Sequence, residues 1–273
     1  MTSPHWKEAD ISVNGFKIHT YRAGRGRSTL IMAHGFTDDA LCWTNLAEAL
    51  LDDFEIVLYD EVGHGQSTRV REMPSRESYD PPDHLHALIQ VLELREPILL
   101  GHSMGAATVA RFAAKYPDLP KAILLEDLPW RPPHSPGTQR GEKDPYYYRL
   151  KVLQQLSLDA VIAYGRQKHT SWQAQALPHW AAAKQRFDLD YYDLRPPLRP
   201  DYTNLLPKIS CPALFIYGDP DLGGIITPNL AQNAIRLMPN AQAVHIRNAG
   251  HCIRYEQFTS YLEAVRAFLK PYQ

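Results

Sequence analysis

Short apolar runs punctuate the chain, and most are followed by a segment whose apolar positions return every three or four residues. The runs at 29–33, 54–59, 98–100, 121–125, 213–217 and 243–246 read as buried strands. Between them the helical period recurs at Leu46, Ala49 and Leu50, with Asp38 or Asp39 placed to cap it, over 79–94, and at Ala106, Val109, Ala110 and Ala113. The closing stretch, 256–269, puts Phe258, Leu262, Val265 and Leu269 on one helical face. Residues 11–21 alternate instead, around Asn14-Gly15, a dipeptide whose tolerance of positive φ favours a tight hairpin. Strands alternating with helices predict an α/β fold: a mostly parallel sheet covered by helices on both faces, begun by an antiparallel edge.

The pattern breaks between residues 128 and 207. Here Trp130, Tyr146, Tyr147, Tyr148, Trp172, Trp180, Tyr191 and Tyr192 gather with Pro132, Pro133, Pro196 and Pro197, and the spacing predicts helices over 148–164 and 171–187. An insertion between two strands at the C-terminal edge of a parallel sheet lies over the place where such sheets bind ligands. The chain therefore divides into a core, 1–127 and 208–273, and a helical lid, 128–207. The lid aromatics, with Trp130, Trp172 and Trp180 as the substrate-binding candidates, point to an apolar or aromatic small molecule.

The apolar run at 98–100 ends in Gly101-His102-Ser103-Met104-Gly105, and the helical pattern follows directly. A serine between two glycines at a strand-to-helix turn is held in a strained conformation with its hydroxyl at the helix N-terminus. Unpaired backbone N–H groups there suit a developing oxyanion. A serine hydroxyl needs a base. Of the twelve histidines, His251 lies on a glycine-preceded loop between the last strand and the last helix.

Bulk properties remove several other classes. The 273 residues suit one large α/β domain with an insertion, and 29 basic against 30 acidic residues leave no charge to draw a nucleic acid or an anionic membrane. Cys42, Cys211 and Cys252 are odd in number and scattered, which fits a reducing compartment and shows no metal spacing. No apolar run approaches the ~20 residues that span a bilayer, and the N-terminus lacks a signal-like pattern, so a cytoplasmic protein is expected. Gly24-Arg25-Gly26 precedes a strand, the wrong context for a phosphate cradle, so no cofactor is expected. His84 and His86 beside Asp83 read as a solvated helix face rather than a metal site, Cys252 as packing, and His64 and Ser67 as residues that fix backbone.

Taken together, His34-Gly35-Phe36, Asp60 with Gly63-His64-Gly65-Gln66-Ser67, the Ser103 turn, Gly218-Asp219-Pro220-Asp221 and Gly250-His251 resemble the α/β-hydrolases of the lidded, esterase-like kind. The resemblance implies an α/β-hydrolase fold, Ser103 as nucleophile, His251 as base and acid, and the backbone N–H groups of Phe36 and Met104 as the oxyanion hole. It places the third triad member at Asp221, in a loop lengthened by about three residues relative to the common pattern. Some relatives use the end of the strand after the nucleophile helix, which makes Asp127 the alternative, with Glu126 and Asp219 also open. Successive residues there point to opposite faces, so only one of Glu126 and Asp127 can face His251. The expected activity is hydrolysis of a carboxylic ester or lactone through an acyl-enzyme. Carbon–carbon hydrolysis of a vinylogous keto acid, with Arg149, Arg166 or Lys168 holding its carboxylate, is the alternative. A ligand receptor or scaffold with residual hydrolase activity is another.

Overall fold

Asn14 and Gly15 both take positive φ, 51° and 83°, and turn β1 (Lys7–Val13) back on β2 (Phe16–Ala23) in an antiparallel pair. The structure, a computed structural model, describes residues 6–76, 79–130, 143–194 and 202–273, so Pro132, Pro133, Pro196 and Pro197 lie outside the described residues. After the hairpin come β3 (Ser28–Ala33), β4 (Phe54–Tyr59), β5 (Ile98–His102), β6 (Ala122–Glu126), β7 (Ala213–Tyr217) and β8 (Ala241–His245). They form one eight-stranded sheet in the order β1-β2-β4-β3-β5-β6-β7-β8, antiparallel at the hairpin end and parallel from β4 onward.

The helices are α1 (Thr44–Leu50), α2 (Pro81–Val91), α3 (Met104–Lys115), α4 (Pro145–Leu153), α5 (Leu158–Lys168), α6 (Ala176–Arg186), α7 (Tyr202–Leu205), α8 (Pro228–Leu237), α9 (Ile253–Glu256) and α10 (Phe258–Leu269). Strand side chains alternate between two cores. Ile31, Leu99, Ile123 and Phe215 pack with α2, α3 and α8, while Leu30, Leu100, Leu124 and Ile216 pack with α1 and α10. Because β3 and β5 to β8 run parallel, the segments that leave their C-terminal ends meet along one sheet edge.

Several elements differ from the sequence pattern for local reasons. The helix predicted over 148–164 is two, α4 and α5, because Ser157 caps a new start by accepting from Ala160 N at 3.3 Å. The helix predicted over 171–187 begins only at Ala176, and the closing helix is interrupted at Gln257, which leaves the helical region with φ −134°. The predicted solvated face at His84 is corrected: the ring is buried against Phe16 and Tyr79, because α2 presents it to the hairpin, while His86 stacks on Tyr116. Among the described residues no cluster of His, Cys, Asp or Glu is arranged to hold a metal, and no helix is long and apolar enough to cross a membrane.

Candidate active site

Ser103 sits between β5 and α3 with φ 50° and ψ −112°, and its N–H donates to Glu126 O at 2.9 Å. The helix leaves the turn close to β3: a Cβ on Gly105 would lie 2.1 Å from Ala33 O, so only glycine permits the approach. Met104 opens α3, which places its N–H among the first-turn donors beside the serine, and its sulfur accepts from Tyr191 Oη at 3.4 Å. Ser103, His251 and Phe36 all line one cavity of about 550 Å³ whose wall also includes residues of α4, α5 and α6, the helices inserted where a lid is expected.

His251 is held from several sides. Gly250 N and Cys252 N both donate to the Glu256 carboxylate, at 2.8 and 3.3 Å, and His102 Nε2 donates to His251 O at 2.9 Å. Its Nδ1 lies 2.6 Å from Asp127 Oδ2. The Asp127 carboxylate is fully buried and also accepts from Ile225 N and Ile226 N at 2.9–3.0 Å.

The structure brings Asp127 to His251 and does not bring Asp221, the position that the resemblance implies. Asp221 is exposed on a short 3₁₀ turn, Pro220–Leu222. The extra residues of its loop carry the chain back over the end of β6, where Ile225 and Ile226 spend their N–H groups on Asp127. The lengthened loop thus supplies donors to the Asp127 carboxylate. The other open positions are occupied elsewhere. Asp219 accepts from Asn248 N and pairs with His245, each at 2.7 Å, and Glu126 on the opposite face of the strand end is bound by Arg254 and Tyr261.

Phe36 lies in a turn closed by Asp38 N donating to Gly35 O at 3.1 Å, with Thr37 in the left-handed region at φ 67°. His64 fixes this turn, accepting from Thr37 N at 3.2 Å and donating from Nδ1 to Val62 O at 3.0 Å, with burial pushing its pKa far down, so the ring stays neutral. Ser67 bridges Asp60 O and His19 N at 2.6 and 2.8 Å. Both residues therefore hold backbone, as their place in the turn suggests.

The lid contributes Trp172 and Trp180 to the cavity wall, whereas Trp130 does not reach it. Trp130 is only 6% exposed and packs against Tyr202 in the core. His169 stacks on Trp172 at 3.9 Å, and burial, reinforced by the Lys184 and Lys168 charges, lowers its pKa to about 4. Arg149 and Lys168 line the cavity from its exposed mouth, and neither has a carboxylate partner among the described residues.

The sequence pattern does not single out Lys184 as a site residue, although Leu177, Trp180, Ala181 and Lys184 follow the helical period of a buried face. It is 2% exposed, lines the cavity and lies 2.7 Å from Asp38 Oδ1. Burial alone would raise the Asp38 pKa, but the Lys184 and Arg254 charges hold it below the usual carboxylate value. Its neighbour Arg186 pairs with Asp39, so two consecutive acids of the core take two cations of α6.

The chain is similar to known proteins over nearly its whole length. The chain is 27% identical over 270 residues to an N-formylmaleamate deformylase of Pseudomonas putida, covering 95% of each chain. It is 24% identical over 283 residues to a 2-(acetamidomethylene)succinate hydrolase of Mesorhizobium japonicum, covering 98% of this chain and 97% of the other. The crystal structure of an N-formylmaleamic acid deformylase from Pseudomonas putida S16 superposes with a TM-score of 0.73 at 23% identity, covering 95% of this chain and all of that one. Residues 30–263 match the model of the alpha/beta hydrolase family. With its eight-stranded sheet, strained serine turn and matched length, the chain is a hydrolase that belongs to the alpha/beta hydrolase family.

Proposed function

We propose that this hydrolase cleaves an acyl–oxygen or acyl–nitrogen bond in a small carboxylate-bearing molecule through an acyl-enzyme on Ser103. The observation that carries the reading is the 2.6 Å contact between His251 Nδ1 and a buried carboxylate beside a serine held at φ 50°. An acceptor-only carboxylate keeps the proton on Nδ1 and leaves Nε2 with its lone pair. His251 then takes the Ser103 hydroxyl proton as Oγ attacks the substrate carbonyl. The N–H groups of Phe36 and Met104 receive the oxyanion, and His251 returns the proton to the departing alcohol or amine nitrogen. Water, activated in the same way, releases the acid product.

The substrate class rests on the cavity and on the relatives. Arg149 and Lys168 suit a carboxylate, and Trp172 and Trp180 suit a flat, unsaturated body. The two relatives are named for an N-formyl and an acetamido compound, each built on a dicarboxylic acid skeleton. This extends the ester and lactone expectation to N-acyl compounds, which need the same nucleophile and oxyanion site. The two mouth cations also favour a second reading, carbon–carbon hydrolysis of a vinylogous keto acid.

The test is turnover of N-formylmaleamate, 2-(acetamidomethylene)succinate, aryl esters from acetate to octanoate, an aromatic lactone and a vinylogous keto acid by wild type and Ser103→Ala. Turnover that falls on the order of 10³-fold in the variant is expected. A Ser103→Ala enzyme with a tenth or more of wild-type activity would overturn the reading. Activity confined to the keto acid would transfer it to carbon–carbon cleavage.

A further inference from the structure

Four charged side chains that the serine chemistry leaves unused run in a line past the cavity. Lys184 Nζ, on the lid helix α6, lies 2.7 Å from Asp38 Oδ1 and donates to Thr37 O at 2.9 Å. Asp38 Oδ2 accepts from Arg254 at 3.3 Å, and Arg254 donates to the two Glu126 oxygens at 3.2 and 3.1 Å. None of the four is more than 5% exposed, and the two cations balance the two anions. Buried ion pairs are costly to desolvate and apolar side chains of similar volume often serve stability as well, so stability alone gives no reason for these ions.

Their places in the chain do give one. Lys184 is on the lid, Asp38 closes the turn that carries Phe36, Arg254 follows His251 by three residues, and Glu126 adjoins Asp127. Each segment that builds the proposed site thus carries one member of the line. We infer that these ion pairs register the lid, the oxyanion turn, the histidine loop and the acid against one another, with Lys184 as the positioning residue through which a seated lid fixes the oxyanion turn.

The Thr37 peptide shows how. His64 in the core accepts from its N–H, while Lys184 in the lid donates to its carbonyl. Tyr146 of α4 adds a contact at 3.0 Å to the Thr37 hydroxyl. Thr37 sits in the left-handed region, which a β-branched residue occupies only when its surroundings hold it there. The Phe36 N–H lies one peptide earlier in the same turn, so its direction follows that of Thr37. Without Lys184 the carbonyl loses its lid donor, and Asp38 is left to Arg254 alone. A misplacement of about 1 Å at an oxyanion donor costs on the order of 10²-fold in rate.

The inference rests on the serine hydrolase reading, and a fluorophosphonate probe separates the two. The probe needs no knowledge of the substrate: Ser103 Oγ bonds to phosphorus, the P–F bond breaks, His251 takes the hydroxyl proton, and the phosphoryl oxygen occupies the oxyanion site. Labelling rate and melting temperature would be measured for wild type, Ser103→Ala, Lys184→Met and the charge-balanced double variant Lys184→Met/Asp38→Asn. Turnover of a neutral and a carboxylate-bearing aryl ester would be measured alongside.

The expected result is labelling about 10- to 100-fold slower in Lys184→Met. The double variant should regain thermal stability yet label as slowly, and kcat should fall equally on both esters with KM unchanged. Wild-type labelling by the stable double variant would overturn the inference. So would a loss that appears only as raised KM for the carboxylate ester, since Lys184 would then be a substrate contact. Should Lys184→Met not fold, the double variant decides. Wild-type labelling no faster than Ser103→Ala would remove the serine reading and this inference with it.

Discussion

Replacing Asp127 by asparagine changes one atom and leaves no arrangement of the side chain that satisfies its neighbours. Oδ2 accepts from His251 Nδ1 at 2.6 Å and from Ile225 N at 2.9 Å, and Oδ1 accepts from Ile225 N and Ile226 N at 3.0 Å. An amide NH₂ at the Oδ2 position faces two donors, and the ring responds by moving its proton to Nε2, where it can no longer act as base. Turned the other way, the NH₂ faces Ile225 N and Ile226 N, and buried N–H groups lose their acceptor. The second arrangement costs on the order of 1–3 kcal/mol of stability for each buried group left unpaired. The first costs activity, about 10³- to 10⁴-fold in kcat, or about 4–5.5 kcal/mol of transition-state stabilisation. The assay is kcat on the best substrate together with a thermal melt, beside Asp221→Asn as control. Asp221 is exposed and makes none of these contacts, so its variant should stay within about 2-fold of wild type. A folded Asp127→Asn enzyme with a tenth of wild-type kcat, or an Asp221→Asn enzyme as crippled, would refute the reasoning.

Burial of the Glu61 carboxyl raises its pKa to about 7 despite hydrogen bonds from Val62 N and Tyr79. Below its unfolded pKa the group is neutral in both states. As pH rises from about 4.5 to 7 the unfolded chain ionises first and stability falls, by up to about 3 kcal/mol. Glu61→Gln should remove this loss, so melts at pH 5 and pH 8 should show the variant gaining on wild type only at the higher pH, and an equal difference at both would count against the assignment. In Gly35→Ala the new Cβ would stand 2.6 Å from His102 Nδ1, and that ring is pinned through Nε2 to His251 O. Kinetics should show kcat down 10-fold or more with a stability loss of about 1–3 kcal/mol, and wild-type kcat would show that the turn tolerates the shift. Arg149→Ala and Lys168→Ala should each raise KM for a carboxylate-bearing substrate about 3- to 10-fold and leave a neutral aryl ester unchanged, and equal effects on both would remove the mouth cations from recognition.

The Ser103 turn was legible because everything it needs is local: an apolar strand, two glycines flanking the serine, and a helical period after it. The hairpin at Asn14-Gly15 and the order of buried strands were readable for the same reason. The carboxylate that meets His251 was not, because its placement depends on how a loop nearly a hundred residues away spends its backbone N–H groups, as Ile225 and Ile226 do on Asp127. Composition marked the lid aromatics but not which of them face the ligand. Trp130 packs inward and Trp172 outward to the cavity for reasons set by the path of the chain. The Lys184–Asp38 pair joins residues 146 apart, and no one-dimensional pattern connects them.

Two sets of charges surround this cavity in opposite relation to solvent, and ionic strength should tell them apart. The ions that dock the lid, Lys184 with Asp38 above all, are withdrawn from water, so dissolved salt has little access to their attraction. Arg149 and Lys168 stand at the exposed mouth, where a Debye length of about 10 Å at 0.1 M salt shortens their reach. Raising salt therefore dims the attraction of the entrance for an anion while the machinery behind it stays assembled. On the proposed reading, KM for an anionic substrate should therefore rise with salt while kcat holds.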